Sequence, residues 1–263
     1  MGGDIIENRQ VITYRNGNKE CRQDAVVKES PVTIILNEQE IGTLICSPYA
    51  QEELVVGFLV SEGLLTSVSD IREIFCRDEQ GVVWVETTQE IPAVDTLLRR
   101  NFASCCGRGR PSLYFINDYR QIKPVESSAQ FTVNQLLKVM SLIDAESEIF
   151  RRTGGVHGAA LVKDQGIVVY YEDIGRHNAL DRILGYTFLH EVETSAMAVA
   201  LTGRIASEML TKSARIGVPL VISRAAPTGL AIDLAEQLGL TVIGFAREQS
   251  LNIYCHGERI IDD

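Results

Sequence analysis

Residues 196–245, AMAVALTGRIASEMLTKSARIGVPLVISRAAPTGLAIDLAEQLGLTVIGF, alternate short apolar runs with stretches that repeat apolar residues at helical spacing. The pattern predicts strands and helices in strict alternation: 196–201, 204–215, 218–222, 227–238 and 240–245. Successive β-α-β units of this kind build a sheet with helices packed on its faces. The sequence therefore predicts an α/β fold for this half of the chain.

The residues just before this stretch extend the same architecture. Apolar residues recur at helical spacing over 133–150, which predicts one long helix. Two strands are predicted at 159–162 and 167–171, and a further helix at 176–189. We assign residues 131–263 to a single α/β region.

The N-terminal part is predicted to be smaller and β-rich. A strand is predicted at 11–14, a hairpin within 31–46, and strands at 71–76 and 82–86. Ser47 and Pro48 are typical of the start of a helix, which the apolar spacing predicts over 51–65, with Gly63 near its end. A short helix is predicted at 92–100. This region, residues 1–130, ends in a glycine- and arginine-rich loop at 104–111.

The overall composition is that of a globular protein with an acidic surface. The chain has 263 residues, 45% of them hydrophobic, and a net charge of −10. An acidic surface does not favour general nucleic-acid binding, although a small anion could be held by local cations such as Arg108, Arg110 and Arg247. Residues 1–20 lack a signal-peptide pattern, and no apolar run reaches the length of a membrane span. We expect a cytoplasmic protein without nucleic-acid or membrane binding.

Adjacent cysteines form the strongest chemical signal. Cys105 and Cys106 lie beside Arg108 and Arg110, and cationic neighbours lower a thiol pKa and favour the nucleophilic thiolate. The alternative is a loop cysteine pair without function. Structural zinc is disfavoured because chelating cysteines are usually two to four residues apart, with a second pair elsewhere. The other cysteines are each isolated and are predicted to be buried and structural: Cys21, Cys46, Cys76 and Cys255.

Polar residues are concentrated where predicted strands meet helices. The two glycines of the segment T-G-G-V-H (153–157) permit close approach of the backbone to a ligand, and His157 could direct its imidazole at that ligand. The alternative is that this histidine is structural. The segment E-D-I-G-R-H-N-A-L-D (172–181) mixes acids, bases and donors, although Asn178 and Asp181 could simply cap and solvate the helix. The carboxyl ends of the strands should bring 223–228 and 245–250 together.

The sequence lacks the motifs of several enzyme classes. Zinc deaminases carry H-x-E and P-C-x-x-C, whereas this chain reads His157-Gly158-Ala159 and has no such cysteine pair. The G-R-G at 107–109 does not continue into a dinucleotide-binding motif, and Walker, H-E-x-x-H and G-x-S-x-G motifs are missing.

Five spaced segments together resemble the FdhD family of formate dehydrogenase accessory sulfurtransferases. They are T-G-G-V-H-G-A-A (153–160), the segment 172–181, G-R-I-A-S-E-M (203–209), 223–228 and G-F-A-R (244–247). The resemblance implies a cytidine-deaminase-like α/β/α sandwich without zinc, in a homodimer. It also implies that a loop cysteine accepts sulfur from a cysteine desulfurase as a persulfide and delivers it to a molybdenum cofactor for formate dehydrogenase.

The same resemblance implies the site residues. The cofactor is expected in its bis-guanine-dinucleotide form, with a GDP-like nucleotide as a mimic. The cofactor-binding candidates are Phe245, Ala246, Arg247, Glu248, Gln249, Ser250, His157, Gly155, Arg176, His177 and Ser223. Arg247 and neighbouring N–H groups are expected to hold phosphates.

The cysteine loop departs from the family pattern. Many relatives have C-G-x-C, and alignment with Cys106 and Gly107 puts Gly109 at the position of the second cysteine. Cys106 is the first candidate for the persulfide and Cys105 the second. Two alternatives remain open: a chaperone that binds the cofactor without covalent sulfur transfer, and a nucleotide-modifying enzyme related by fold.

Overall fold

The computed structural model describes residues 5–88 and 122–262. The strands are β1 (Ile6–Arg15), β2 (Asn18–Val27), β3 (Ser30–Leu36), β4 (Gln39–Cys46), β5 (Ile71–Arg77), β6 (Val82–Thr87), β7 (Phe131–Thr132), β8 (His157–Lys163), β9 (Gly166–Asp173), β10 (Ala198–Leu201), β11 (Leu220–Ser223), β12 (Thr241–Arg247), β13 (Ser250–Cys255) and β14 (Ile260–Ile261). The α-helices of these ranges are α1 (Gln51–Ser61), α2 (Val133–Glu146), α3 (Glu148–Thr153), α4 (Arg176–Leu189), α5 (Ser207–Arg215) and α6 (Gly229–Leu238). No helix in these ranges is long and apolar enough to cross a membrane.

The C-terminal region is a six-stranded mixed sheet with the strand order β13-β12-β11-β10-β8-β9. Strands β10, β11 and β12 are parallel, as their helical connections require, whereas β8 and β9 form an antiparallel hairpin. Alternate residues of β10 face opposite layers: Val199 packs among α4, α5 and α6, and Ala200 packs among residues of α2. The predicted α/β/α sandwich is therefore confirmed.

The N-terminal region is built on a four-stranded sheet with the order β4-β3-β6-β5, and α1 covers one of its faces. The predicted hairpin within 31–46 is confirmed as β3 and β4. After its polar first turn, helix α1 is apolar on all sides from Leu54 to Val60, as expected of a helix that lies between this sheet and α4. The two regions are thus joined through α1.

The predicted start of α1 at Ser47-Pro48 is wrong. The residue before the first helical turn is Ala50, which has φ of 46° and makes no side-chain cap. Ser47 instead donates its backbone N–H to the Asp173 carboxylate at 2.9 Å, a contact across the two regions. The helix ends at Ser61, and Gly63 follows in the left-handed region with φ of 73°, as its predicted position near the helix end requires.

The single helix predicted over 133–150 is two helices. Ser147 leaves the helical conformation with ψ of 61°, and its hydroxyl donates to the Ile143 carbonyl at 2.6 Å. The Glu172 carboxylate accepts the N–H groups of Ile149 and Phe150, both at 3.0 Å, and so caps α3. A distant acid therefore breaks a helix that the periodicity alone predicts to be continuous.

Helices α5 and α6 begin later than predicted, whereas α4 has the predicted bounds. The residues before α5 and α6 are extended and pair with each other: Ile205 donates to Ala226 at 3.1 Å, and Thr228 donates to Ile205 at 3.0 Å. Strands β2, β7, β13 and β14 were not predicted.

The cysteine predictions are partly corrected. Cys46 and Cys255 are buried as predicted, and Cys76 is partly buried, but Cys21 is exposed on the β1–β2 hairpin. The prediction for Cys21 is wrong because both faces of that hairpin are open to solvent over most of its length. The loop 104–111 with Cys105 and Cys106, and the short helix predicted at 92–100, lie outside the described residues.

Candidate anion-binding site

The candidate site lies along one edge of the six-stranded sheet. Strands β9, β10, β11 and β12 end at this edge, and β8 begins there, because β8 runs antiparallel to β10 with Ala159 opposite Leu201. His157 at the start of β8 is directly opposite Asp173 at the end of β9. The loops that follow each strand therefore meet at the location where ligands bind in open α/β sheets.

His157, Arg176 and Gly203 form one cluster at this edge. A Cβ atom at Gly203 would lie 3.3 Å from His157 Nδ1 and 3.6 Å from Arg176 Cδ, so glycine leaves the space between the two side chains open. Burial lowers the pKa of His157, and the positive charges of Arg176 and His177 lower it further. The Nε atom of Arg176 is buried without a hydrogen-bond partner among the residues that the structure describes. A buried donor of this kind is normally hydrogen-bonded, so the cluster has a donor available to an acceptor outside the described residues.

Two helix N-termini add to the positive potential. Helices α4 and α5 begin after Gly175 and Ala206, and neither residue provides a side-chain cap. The N-terminus of each helix carries a partial positive charge and free backbone N–H groups. His177 Nε2 lies 2.7 Å from Glu208 Oε2, so the first turns of the two helices are in contact.

The loop after β11 lies beside the last residues of β12, as predicted for 223–228 and 245–250. Phe245 donates its N–H to the Ala225 carbonyl at 3.2 Å, and Arg247 Nε donates to the Arg224 carbonyl at 3.1 Å. Close approach requires Gly244, where a Cβ atom would lie 2.8 Å from Pro227 Cδ. Phe245 has φ of 53°, an unusual conformation for an aromatic residue, and exposes its ring.

The remaining predicted site residues have varied environments. Ser223 is buried, donating to the Gly203 carbonyl at 2.6 Å and accepting from Ala225 N–H at 3.1 Å. Ala246 is buried in the core. Glu248 and Gln249 form the exposed turn between β12 and β13, and Ser250 is the first residue of β13. Gly155 lies against Val27 of β2.

Most of the segment 172–181 stabilises the structure. Asp173 and Arg182 form a fully buried ion pair, and Asp173 also accepts from Gly175 N–H and Asn178 Nδ2, both at 2.8 Å. Asp181 pairs with Lys212 of α5, which opposes the rise in its pKa caused by burial. The capping and solvation reading of Asn178 and Asp181 is therefore wrong, since both are buried and bonded.

Arg182 was not singled out from the sequence. Its guanidinium donates to the carbonyls of Ser47 and Tyr49, each at 2.9 Å, and lies over the Tyr49 ring. An arginine at mid-helix gives no local signal of such contacts. Gly203 and Gly244 were likewise not assigned to the site, although both lie in the segments that carried the family resemblance.

An α/β sandwich that brings two helix starts, His157 and Arg176 together at the carboxyl ends of its strands has the architecture of the open α/β proteins, whose ligand sites lie at strand ends. The model of the FdhD/NarQ family matches residues 27–261, and the chain belongs to this family. The chain is 39% identical to "Sulfur carrier protein FdhD" of Geobacillus kaustophilus over 262 residues, with 99% of each protein covered. It is 41% identical to the protein of the same name from Bacillus licheniformis, again with 99% of each covered.

A solved structure shares the fold. The crystal structure of a putative formate dehydrogenase accessory protein from Desulfotalea psychrophila superposes with a TM-score of 0.82 at 28% identity. The superposition covers 98% of this chain and 100% of that one.

Proposed function

We propose that this protein carries sulfur as a persulfide on Cys106 or Cys105. Sulfur comes from a cysteine desulfurase and passes to the molybdenum of a bis-guanine-dinucleotide cofactor held at the sheet edge, for a formate dehydrogenase. The observation that carries the cofactor part is the buried Nε of Arg176 beside His157, which has no hydrogen-bond partner within residues 5–88 and 122–262. The sulfur part is supported by the full-length similarity to proteins named sulfur carriers. The proposal includes a cytoplasmic location and a homodimer.

The loading step is a thiol exchange without net oxidation. The thiolate attacks the outer sulfur of the donor's persulfide, a new S–S bond forms, and the donor's inner sulfur leaves as a thiolate that takes up a proton. Arg108 and Arg110, which lie near the cysteines in sequence, favour the attacking thiolate. The cysteine segment lies outside the described residues, so this step is argued from the sequence.

The edge fits the cofactor's diphosphates and bases. Arg247, Arg176 and the first N–H groups of α4 supply donors for phosphate oxygens. The exposed ring of Phe245 offers a face for a nucleobase. The molybdenum cofactor is the substrate that accepts the sulfur: the S–S bond of the persulfide breaks, the cysteine leaves as a thiolate, and a thiol reductant would supply the two electrons that bring the outer sulfur to the sulfide level. The residues at the edge bind and orient the molecule that carries the metal.

The test is incubation of the protein with a cysteine desulfurase and cysteine, followed by intact-mass measurement. We expect a gain of one sulfur atom that a reductant removes, and loss of that gain in a Cys105→Ser/Cys106→Ser double variant. Cys21→Ser is the control because Cys21 is an exposed cysteine outside the segment that contains Cys105 and Cys106. If the double variant gains sulfur as the wild type does, the carrier proposal is wrong. A chaperone without covalent transfer then remains if the protein binds GDP.

A further inference from the structure

The outer face of the N-terminal sheet carries an aromatic patch. Phe75 on β5 and Trp84 on β6 are direct cross-strand neighbours with ring centroids 5.8 Å apart. The guanidinium of Arg77 lies over both rings, 5.2 Å and 5.7 Å from their centroids. Phe75 is 48% exposed, whereas Val83 and Val85 on the opposite face are fully buried. We call Phe75, Arg77 and Trp84 the aromatic patch.

A pair of facing acidic residues borders this patch. Glu73 and Glu86 are directly opposite each other in the β5–β6 register, on the same face as Phe75. Within 5–88 and 122–262, neither carboxylate has an ion pair. Like charges that face each other across a β-ladder are destabilising. A cation from outside the sheet would relieve this repulsion.

We propose that the aromatic patch is the docking surface for the protein that donates sulfur. The partner is a persulfide-bearing protein that presents Lys or Arg, which neutralise Glu73 and Glu86, beside an aliphatic side chain that packs on Phe75 and Trp84. An exposed phenylalanine and an exposed arginine beside a half-buried tryptophan have the composition of residues that dominate binding energy at protein interfaces. The inference rests on the proposed function, from which the sulfur donor is taken.

The position of the patch favours binding of the sulfur-donating protein there over binding of the formate dehydrogenase that receives the cofactor. Trp84 lies on β6, the last described strand before the segment that contains Cys105 and Cys106. The candidate cofactor edge lies in the other region, at the ends of β9 to β12. Docking at the patch therefore leaves the cofactor edge open to its own ligand.

The single tryptophan of the chain allows a direct test. Labelling with 5-fluorotryptophan places one ¹⁹F probe at Trp84. Addition of a purified cysteine desulfurase should shift or broaden its resonance. An unchanged resonance, in a mixture where calorimetry detects the complex, would show that binding occurs elsewhere and would overturn the proposal.

A matched pair of variants tests the energetics. Phe75→Ser should weaken desulfurase binding at least about tenfold, the effect typical of an interface aromatic. Phe150→Ser is the control, because Phe150 of α3 is also 48% exposed but lies in the other region. Glu73→Lys should also weaken binding, and binding by the wild type should weaken as salt rises. Equal affinity of Phe75→Ser and the wild type contradicts the proposal.

A small-molecule donor separates this inference from the proposed function. Glutathione persulfide transfers sulfur without protein docking, so Phe75→Ser should be loaded by glutathione persulfide as the wild type is, and more slowly by the desulfurase. If the variant and the wild type are loaded equally by both donors, the docking surface is wrong and the carrier function stands. If the wild type takes sulfur from neither donor, the proposed function fails, and this inference fails with it.

Discussion

Gly57 of α1 and Gly185 of α4 lie at the crossing of the two helices, where the helix backbones touch. A Cβ atom at Gly57 would lie 1.7 Å from the carbonyl oxygen of Asp181, and one at Gly185 would lie 1.9 Å from that of Glu53. Neither contact can be relieved by rotation of a side chain. The close approach of the helices therefore depends on both glycines.

Gly57→Ala should destabilise the protein by about 1–3 kcal/mol or more, because the added methyl forces the helices apart. This loss should exceed the gain of about 1 kcal/mol in helix propensity. Urea unfolding measures the difference. Gly229→Ala at the start of α6 is the control, since nothing lies within 4 Å of a Cβ atom there. A Gly57→Ala protein as stable as the control would contradict the tight crossing.

Arg182→Met should cost about 3–5 kcal/mol, because it leaves the buried Asp173 carboxylate without its cation. Arg152→Met serves as the comparison. It removes an exposed ion pair with Glu148 at 3.5 Å, and such pairs contribute at most about 1 kcal/mol. Equal unfolding free energies for the two variants would mean that the buried pair is not needed to hold the two regions.

The depressed pKa of His157 has a consequence for stability. The folded protein resists protonation of this imidazole, whereas an unfolded histidine titrates near about 6.5. Its contribution to stability is therefore present above that pH and is lost as the pH falls below it. NMR titration of the imidazole should show the low pKa.

Arg176→Gln should raise the pKa of His157, because it removes one of the charges that lower it. Burial, the largest cause, remains, so the pKa should stay below its ordinary value. GDP binding at the edge should also raise the pKa, since a phosphate favours the imidazolium. If the pKa of His157 changes neither in Arg176→Gln nor on addition of GDP, His157 does not interact with Arg176 or with the nucleotide.

Arg247→Ala should weaken GDP binding about tenfold, the loss expected for one charge-assisted hydrogen bond. Isothermal calorimetry measures the affinity. Arg152→Ala, which removes an exposed arginine at the end of α3, should leave it unchanged. Unchanged affinity in Arg247→Ala would refute the assignment of Arg247 to the phosphates.

Local patterns in the sequence were enough to predict the sandwich. The alternation of apolar runs over 196–245 predicted β10, β11 and β12 and the helices between them, and α4 has its predicted bounds. Each of these elements buries an apolar face, and a buried face produces a regular spacing of apolar residues within the element's own sequence. The close approach of segments 223–228 and 245–250 followed from the parallel order of the strands.

Contacts between distant residues explain what could not be predicted. Ser47 and Asp173 are 126 residues apart, so nothing near Ser47 indicates that its N–H group serves the junction rather than a helix start. The break at Ser147 depends on Glu172, and the late start of α5 depends on the pairing of Ile205 with Pro227. Each of these features is set by tertiary structure, which overrides local preference.

The hydrogen bonds between the two regions go mainly to the main chain of residues 45–49 rather than to their side chains. Asn178 and Arg182 donate to the carbonyls of Ile45, Ser47 and Tyr49, and Asp173 accepts the N–H of Ser47. Ile45, which is 38% exposed, is accordingly free to change its side chain as long as the backbone keeps its path. Cys46 and Ser47 are fully buried, and the Ser47 hydroxyl accepts the N–H of Ile174 at 3.3 Å, so packing limits their side chains as well. Asp173 of β9 and Asn178 and Arg182 of α4 make these hydrogen bonds with their side chains. A substitution at any of the three therefore removes contacts between the two regions.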